Sequence, residues 1–138
     1  MSVQVALGET KPLDAVDALG LLVGSAGLAF EAIADGQLAR FTADPRNRSR
    51  VLDTGLWRFS RHPNYFGEAM LWWGMFIVCA SGGGAWTVFS PLLMTLLLLK
   101  VSGVALLEHD IGDRRPAYRD YVDRTPAFFP WWPKHRDA

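Results

Sequence analysis

Apolar residues gather in three long stretches, separated by segments rich in arginine or glycine. The first, residues 15–33, reads AVDALGLLVGSAGLAFEAI and holds Asp17 and Glu31 near its ends. Its glycines, Gly20, Gly24 and Gly27, recur at intervals of four and three, a spacing that lets a second helix approach closely. The second stretch, residues 65–81, is short against the roughly 20 residues that cross a hydrocarbon core. The third, residues 86–107, centres on LLMTLLLLK, with Pro91 near its start, where a first helical turn accepts proline. It is apolar on nearly every face, whereas the surface helix of a water-soluble protein keeps one polar stripe. The pattern predicts an all-α polytopic membrane protein. About three transmembrane helices, a cytoplasmic loop and an amphipathic C-terminal tail would form a single domain over residues 1–138.

Charge turns this pattern into a topology. The chain carries 14 basic and 14 acidic residues, but they are segregated. From Met1 to Gln37 and from Ala69 to Leu107, Lys11 and Lys100 are the only bases; the others lie between Arg40 and Arg61 or between Arg114 and Arg136. SGGGA at residues 81–85 is a turn, so the second and third stretches form a hairpin. Both arginine-rich segments then share one side, which the positive-inside rule makes cytoplasmic. Trp86, Trp131 and Trp132 suit interfacial positions. The expected location is multi-pass in a bacterial inner membrane, with the lipid bilayer as partner and no nucleic acid. Glu9, Asp14 and Asp17 precede or open the first apolar stretch, and no basic segment stands before it, which argues against a signal peptide. The single cysteine, Cys79, excludes an intrachain disulfide, and no metal-binding spacing is present.

Chemistry concentrates at the mouth of the second stretch, in RHPNYFGE at residues 61–68. Asn64, Glu68 and Trp72 recur every four residues and share one helical face, with Tyr65 near it. A carboxylate entering hydrocarbon is costly unless paired or wet, so Glu68 is a candidate functional group; capping the helix is its structural alternative. Glu31 and Asp35 are also four apart, at the cytoplasmic end of the first helix. Arg40, Arg46, Arg48 and Arg50 present guanidinium forks that match phosphate oxygens. Arg61 and His62 suit either a ligand or lipid headgroups. In the tail, Tyr118, Tyr121 and Arg124 follow at intervals of three, and Glu108 closes the third stretch. Arginines, acids and aromatics together fit a nucleotide with its phosphates, ribose and ring.

TGLWRFSRHPNYFGE, SPLLMTLLLLKVSGVALLE and RPAYRDYVDRTPAFFPW resemble the bacterial DUF1295 family, of the steroid 5-alpha-reductase C-terminal-domain superfamily. The resemblance runs from about Asp17 to Pro133. It implies a cytosol-facing NADPH pocket, with cofactor contacts from Asn64, Glu68 and Trp72, an acid at Asp35 and an arginine at Arg50. Arg61, His62 and Tyr65 complete the motif; Tyr118, Tyr121 and Arg124 are matched less closely, and Glu31 stands where the steroid reductases commonly carry asparagine. The implied activity is reduction of a C=C bond in a lipophilic enone. Family members commonly have further membrane helices before this region, and those helices carry the groups that polarise the substrate. No catalytic residue is therefore assigned, with Tyr65 and His62 the nearest general-acid candidates, and further helices or another chain are expected partners. RHPNY is shared with the isoprenylcysteine carboxyl methyltransferases, so an S-adenosylmethionine-dependent methyltransferase is the alternative enzyme. The arginine cluster favours a phosphate-bearing cofactor, since S-adenosylmethionine has no phosphate. A non-catalytic membrane fragment is the third reading.

Overall fold

The computed structural model describes residues 11–100, 108 and 115–135, and every regular element among them is helical. Helix α1 spans Ala15–Ala43, α2 Pro63–Ser81, α3 Phe89–Lys100 and α4 Pro116–Arg124. Short 3-10 turns at Pro45–Asn47, Gly55–Arg58 and Ala85–Val88 join them. Asp14 starts α1 in a capping box: its carboxylate accepts from the amides of Val16 and Asp17, and the Asp17 carboxylate accepts from the Asp14 amide. Pro63 occupies the first turn of α2 and Pro116 that of α4, where a missing N–H costs nothing.

The first apolar stretch does not end its helix at Ile33; α1 runs on to Ala43 and carries Asp35 and Arg40 with it. Among the described residues α1 is the helix long and apolar enough to cross a membrane, and Ala85–Lys100 is a shorter apolar helix. The remainder of the predicted third stretch, residues 101–107, lies outside the described residues. Large apolar side chains point outward from all three long helices, including Leu22 and Ile33 on α1, Met75 on α2, and Leu92 and Leu96 on α3.

Helices α1 and α2 are antiparallel and meet backbone to backbone. A Cβ added at Gly67 would lie 2.6 Å from both the Glu31 amide nitrogen and the Gly27 carbonyl oxygen. Gly74 faces Gly20 and Gly24 as closely. The small face of α1 is thus filled by α2, and the complementary glycines of α2 lie seven residues apart, every second turn. Helix α3 returns along α2; the Trp73 indole N–H donates to Thr95 Oγ1 at 3.2 Å. Ala69, Leu98 and Phe128 form a small core, flanked by Tyr65, Phe66 and Met94. Phe128 belongs to the tail, so α2, α3 and the tail close this core together.

At the far end of the hairpin that α1 and α2 form, Lys11 bonds Asp14 and the Ser81 carbonyl, tying the start of α1 to the end of α2. At the near end, the loop between α1 and α2 is held by side chains reaching backbone. The Trp57 indole donates to the Ala34 carbonyl at 3.0 Å. Gly55 has φ +60°, a conformation that glycine adopts freely, and the amide of the next residue, Leu56, donates to Gln37 Oε1 at 3.0 Å.

Candidate functional site

A cleft of about 430 Å³ opens at this near end, between the C-terminal part of α1, the loop, the start of α2 and helix α4. Its floor is apolar, built by Leu38 and Phe41 of α1, Val51 and Leu52 of the loop, and buried Trp57. Three arginines line it as well: exposed Arg50 and Arg115, and Arg61, which is nearly buried. His62, Asn64 and Tyr65 contribute from the start of α2, and Tyr118 and Tyr121 from α4.

Each of these side chains has a local reason for its position. Tyr121 is buried, and its hydroxyl donates to the carbonyls of Trp57 and Ser60, fixing α4 over the loop. Tyr118 packs edge-on against Tyr121 with centroids 5.6 Å apart. The His62 and Tyr65 rings stack, 6° from parallel. Glu108 accepts from Arg61 Nη1 and lies 3.0 Å from His62 Nε2, so the carboxylate holds the proton on that nitrogen. This nearly buried trio is a structural tie, and two of its members, Arg61 and His62, line the cleft. Arg115 Nη1 donates to the Arg50 carbonyl at 3.3 Å, bringing those two arginines together.

Two polar atoms in the wall lack partners among the described residues. Asn64 Nδ2 donates to Asp35 Oδ1 at 3.0 Å, which orients the amide and leaves its buried Oδ1 unpaired. Arg61 Nε is also buried and unpaired. A buried polar atom without a partner costs about 1–3 kcal/mol, so an unpaired acceptor and donor in one wall favour a small side-chain shift that turns them toward a ligand able to satisfy them. Burial pushes the Tyr118 phenol up to about 12, with the Glu108 charge adding and Arg61 opposing. Burial likewise raises Tyr121, which lies further from ionisation still.

The structure gathers Arg50, Arg61, His62, Asn64, Tyr65, Tyr118 and Tyr121 in this cleft, and Asp35 joins through Asn64. It does not bring Glu68, Trp72 or Arg124 to the cleft wall. Glu68 and Trp72 sit further along α2, half-buried, with Glu68 near Glu31 across the helix pair. Arg124 turns away into an adjoining hollow, where it pairs with Asp53 and Asp120, each at 3.3 Å. Phe41, Arg50 and Val51 line both the cleft and a second, more polar hollow that holds Asn47, Ser49 and Arg124, so the two adjoin. The residues missed at the sequence level are Arg115, Trp57 and the apolar floor. Arg115 stands beside Pro116, a helix-start signal that also marks where a basic side chain can turn back toward the loop.

These observations define a class: an all-helical protein with an apolar exterior, closed at one end by an arginine-lined cleft. The chain belongs to the DUF1295 family, described as proteins of unknown function, which it matches over residues 1–125. It is 34% identical over 80 residues to an uncharacterized protein of Schizosaccharomyces pombe (strain 972). That alignment covers 56% of this chain and 23% of the relative, so the chain spans much less than the relative's length. No solved structure matches the chain.

Proposed function

We propose that this chain is the cofactor-binding part of a membrane-embedded, NADPH-dependent reductase acting on the C=C bond of a lipophilic enone. The observation that carries the reading is the cleft itself. Exposed Arg50 and Arg115 line an apolar cleft, Arg61 stands in its wall paired with Glu108, and Asn64 Oδ1 is unpaired beside it. Arginine forks suit the phosphates of a dinucleotide, and the second hollow beside the cleft gives an elongated ligand room to continue.

In this reading Arg50 and Arg115 hold phosphate. Asn64, aimed by Asp35, accepts a hydrogen bond from a ribose hydroxyl or a carboxamide. Trp57, Leu38 and Val51 exclude water from the ring-binding floor. NADPH, when bound, supplies the hydride; the protein supplies binding and orientation. The apolar flanks of α1, α2 and α3 face lipid, the arginine-rich end faces the cytoplasm, and the substrate arrives through the bilayer. The groups that polarise the substrate would come from further helices or another chain, since the cleft offers no dedicated acid beyond Tyr65, His62 and the two raised tyrosines.

Calorimetry on the detergent-purified chain tests this directly. NADPH should bind saturably, and Asn64→Ala and Arg50→Gln should each weaken it by about tenfold or more, the cost of one charge-assisted or buried hydrogen bond. Preference for S-adenosylmethionine over NADPH would move the assignment to methyl transfer. Binding of neither would leave a non-catalytic partner chain.

A further inference from the structure

The tail after α4 is a bent strap that loops back to the end of α4, and its backbone is tied to the cleft loop on the way. The Arg61 amide donates to the Pro126 carbonyl at 2.9 Å, and Ser60 Oγ donates to the Phe128 carbonyl at 2.8 Å. The Trp131 amide donates to the Phe59 carbonyl at 3.0 Å, and the Lys134 amide to the Arg124 carbonyl at 2.9 Å. These ties sort the side chains. Thr125 and Phe128 turn inward and are buried, while Phe129, Trp131 and Trp132 are forced outward, 70%, 72% and 68% exposed. Pro126, Pro130 and Pro133 stiffen the strap, so the rings cannot fold away cheaply.

The two edges of this surface differ. On one edge Phe129 meets Phe66 at 5.9 Å, and Phe66 meets Phe30 of α1 at 5.6 Å, so the aromatic edge is continuous with the apolar exterior of the helices. On the other edge Trp132 packs edge-on to Phe59, and the Arg58 guanidinium lies 5.9 Å from the same ring. Arg58 and Lys134 line one hollow with Trp132 and have no ion pair among the described residues. Arg124, in the same hollow, is already matched by Asp53 and Asp120. Amphipathic rings between an apolar flank and unspent cations match the boundary between acyl chains and anionic headgroups.

The geometry points to the strap as a docking surface for anionic phospholipid: Trp131, Trp132 and Phe129 seat at the acyl–headgroup boundary, and Arg58 and Lys134 take headgroup phosphates. Because the strap bonds Phe59, Ser60 and Arg61, its seating supports the wall that holds Arg61, His62 and Asn64. Lipid contact at the strap and ligand binding in the cleft are therefore linked, and by reciprocity each strengthens the other. This second clause rests on the reductase reading; the docking surface does not.

The full chain would be reconstituted in vesicles of phosphatidylcholine, with and without phosphatidylglycerol, carrying bromine on the upper acyl chain. Trp131→Phe with Trp132→Phe keeps the rings and the fold while removing two emitters. The expected result is a component of bromine quenching that the double variant lacks. Phosphatidylglycerol should deepen it, and Arg58→Gln or Lys134→Gln should each lose about fivefold of that lipid preference, the contribution of one base near an anionic surface. Equal quenching in the parent and the double variant would overturn the docking surface, whatever the cleft binds. If quenching behaves as expected and NADPH binds, its affinity should rise with phosphatidylglycerol in the parent and not in the Arg58→Gln, Lys134→Gln chain. An NADPH affinity indifferent to lipid charge would overturn the linkage alone.

Discussion

The two ends of this molecule are built on opposite principles. Along the hairpin, α1 and α2 approach through glycines until backbone meets backbone, and polar side chains contribute little beyond Trp73 to Thr95 and the Lys11 tie at the far end. At the cleft end the helices diverge from that rule. There Trp57, Ser60 and Tyr121 each reach a main-chain carbonyl far away in sequence, and Glu108 ties Arg61 to His62. One region is specified by absent side chains and the other by side chains that are present. The hairpin should therefore fail when atoms are added, and the cleft end when atoms are removed.

The largest effect should come from adding one carbon to the hairpin. In Gly67→Ala the new Cβ would meet the Glu31 and Gly27 backbones at 2.6 Å, and neither can rotate away. The helices must separate, at a cost of about 3 kcal/mol or more, the upper range for overpacking. Gly36→Ala is the control, because nothing lies within 4 Å of its added Cβ. It should be neutral or stabilising by about 0.5–1 kcal/mol through helix propensity. Unfolding of both variants in mixed detergent micelles compares them directly. Equal stability of Gly67→Ala and parent would remove the basis for calling this a backbone-packed hairpin.

Subtraction at the cleft end comes next. Tyr121→Phe deletes a hydroxyl that serves two carbonyls, those of Trp57 and Ser60, and leaves them buried without a donor. The expected loss is about 1–3 kcal/mol, seen as faster proteolysis of residues 125–135 while the hairpin stays protected. Alkali should reach the same contact reversibly. Burial holds Tyr118 at about 12 against an ordinary 10.0, and Tyr121 is raised as well. A group whose folded pKa is raised stabilises the fold fully below its unfolded value and loses that contribution as pH climbs through the folded one. The cleft end should accordingly open between about pH 10 and 12, tracked by tyrosinate absorbance beside tryptophan emission. An opening below pH 9 would show that the phenols are not buried as described.

The same contrast explains what was legible in the sequence. Gly20, Gly24 and Gly27 announced a close helix contact, and the three apolar stretches announced the helices, because periodicity is a local property. The partner of that glycine face was not announced, since Gly67 and Gly74 are seven apart and resemble no short motif. Part of RHPNYFGE lines the cleft, and Asn64 at its centre bonds Asp35 of the preceding helix. Of the stripe Asn64, Glu68 and Trp72, the cleft takes only the first: regular spacing puts residues on one face, but the cleft lies at the helix start. Arg115, Trp57 and the tie from Glu108 to the motif depend on contacts across 23 to 65 residues of chain, which no spacing rule can reach.

The smallest effect belongs to the far end of the hairpin, the one place there where charge helps hold the helices. Asp14 caps α1, and a hydrogen bond from Lys11, with amide bonds from Asp17 and Val16, lowers its carboxyl to about 2 from 3.8. A depressed pKa contributes stability above the unfolded value and loses it as pH falls through the folded one, so the first turn of α1 should loosen as pH drops from about 4 toward 2. The group is exposed and paired to Lys11, and the effect should be slight and weakened further by salt. Amide exchange at Val16 and Asp17 against pH reads it, with Asp14→Asn as comparison. Asparagine keeps an N-capping oxygen but cannot titrate, so its first turn, which retains the Asp17 carboxylate, should show a shallower slope than the parent's. If instead both chains slope alike, the acid response comes from elsewhere, and the hairpin would be held at that end by packing and capping geometry rather than by charge.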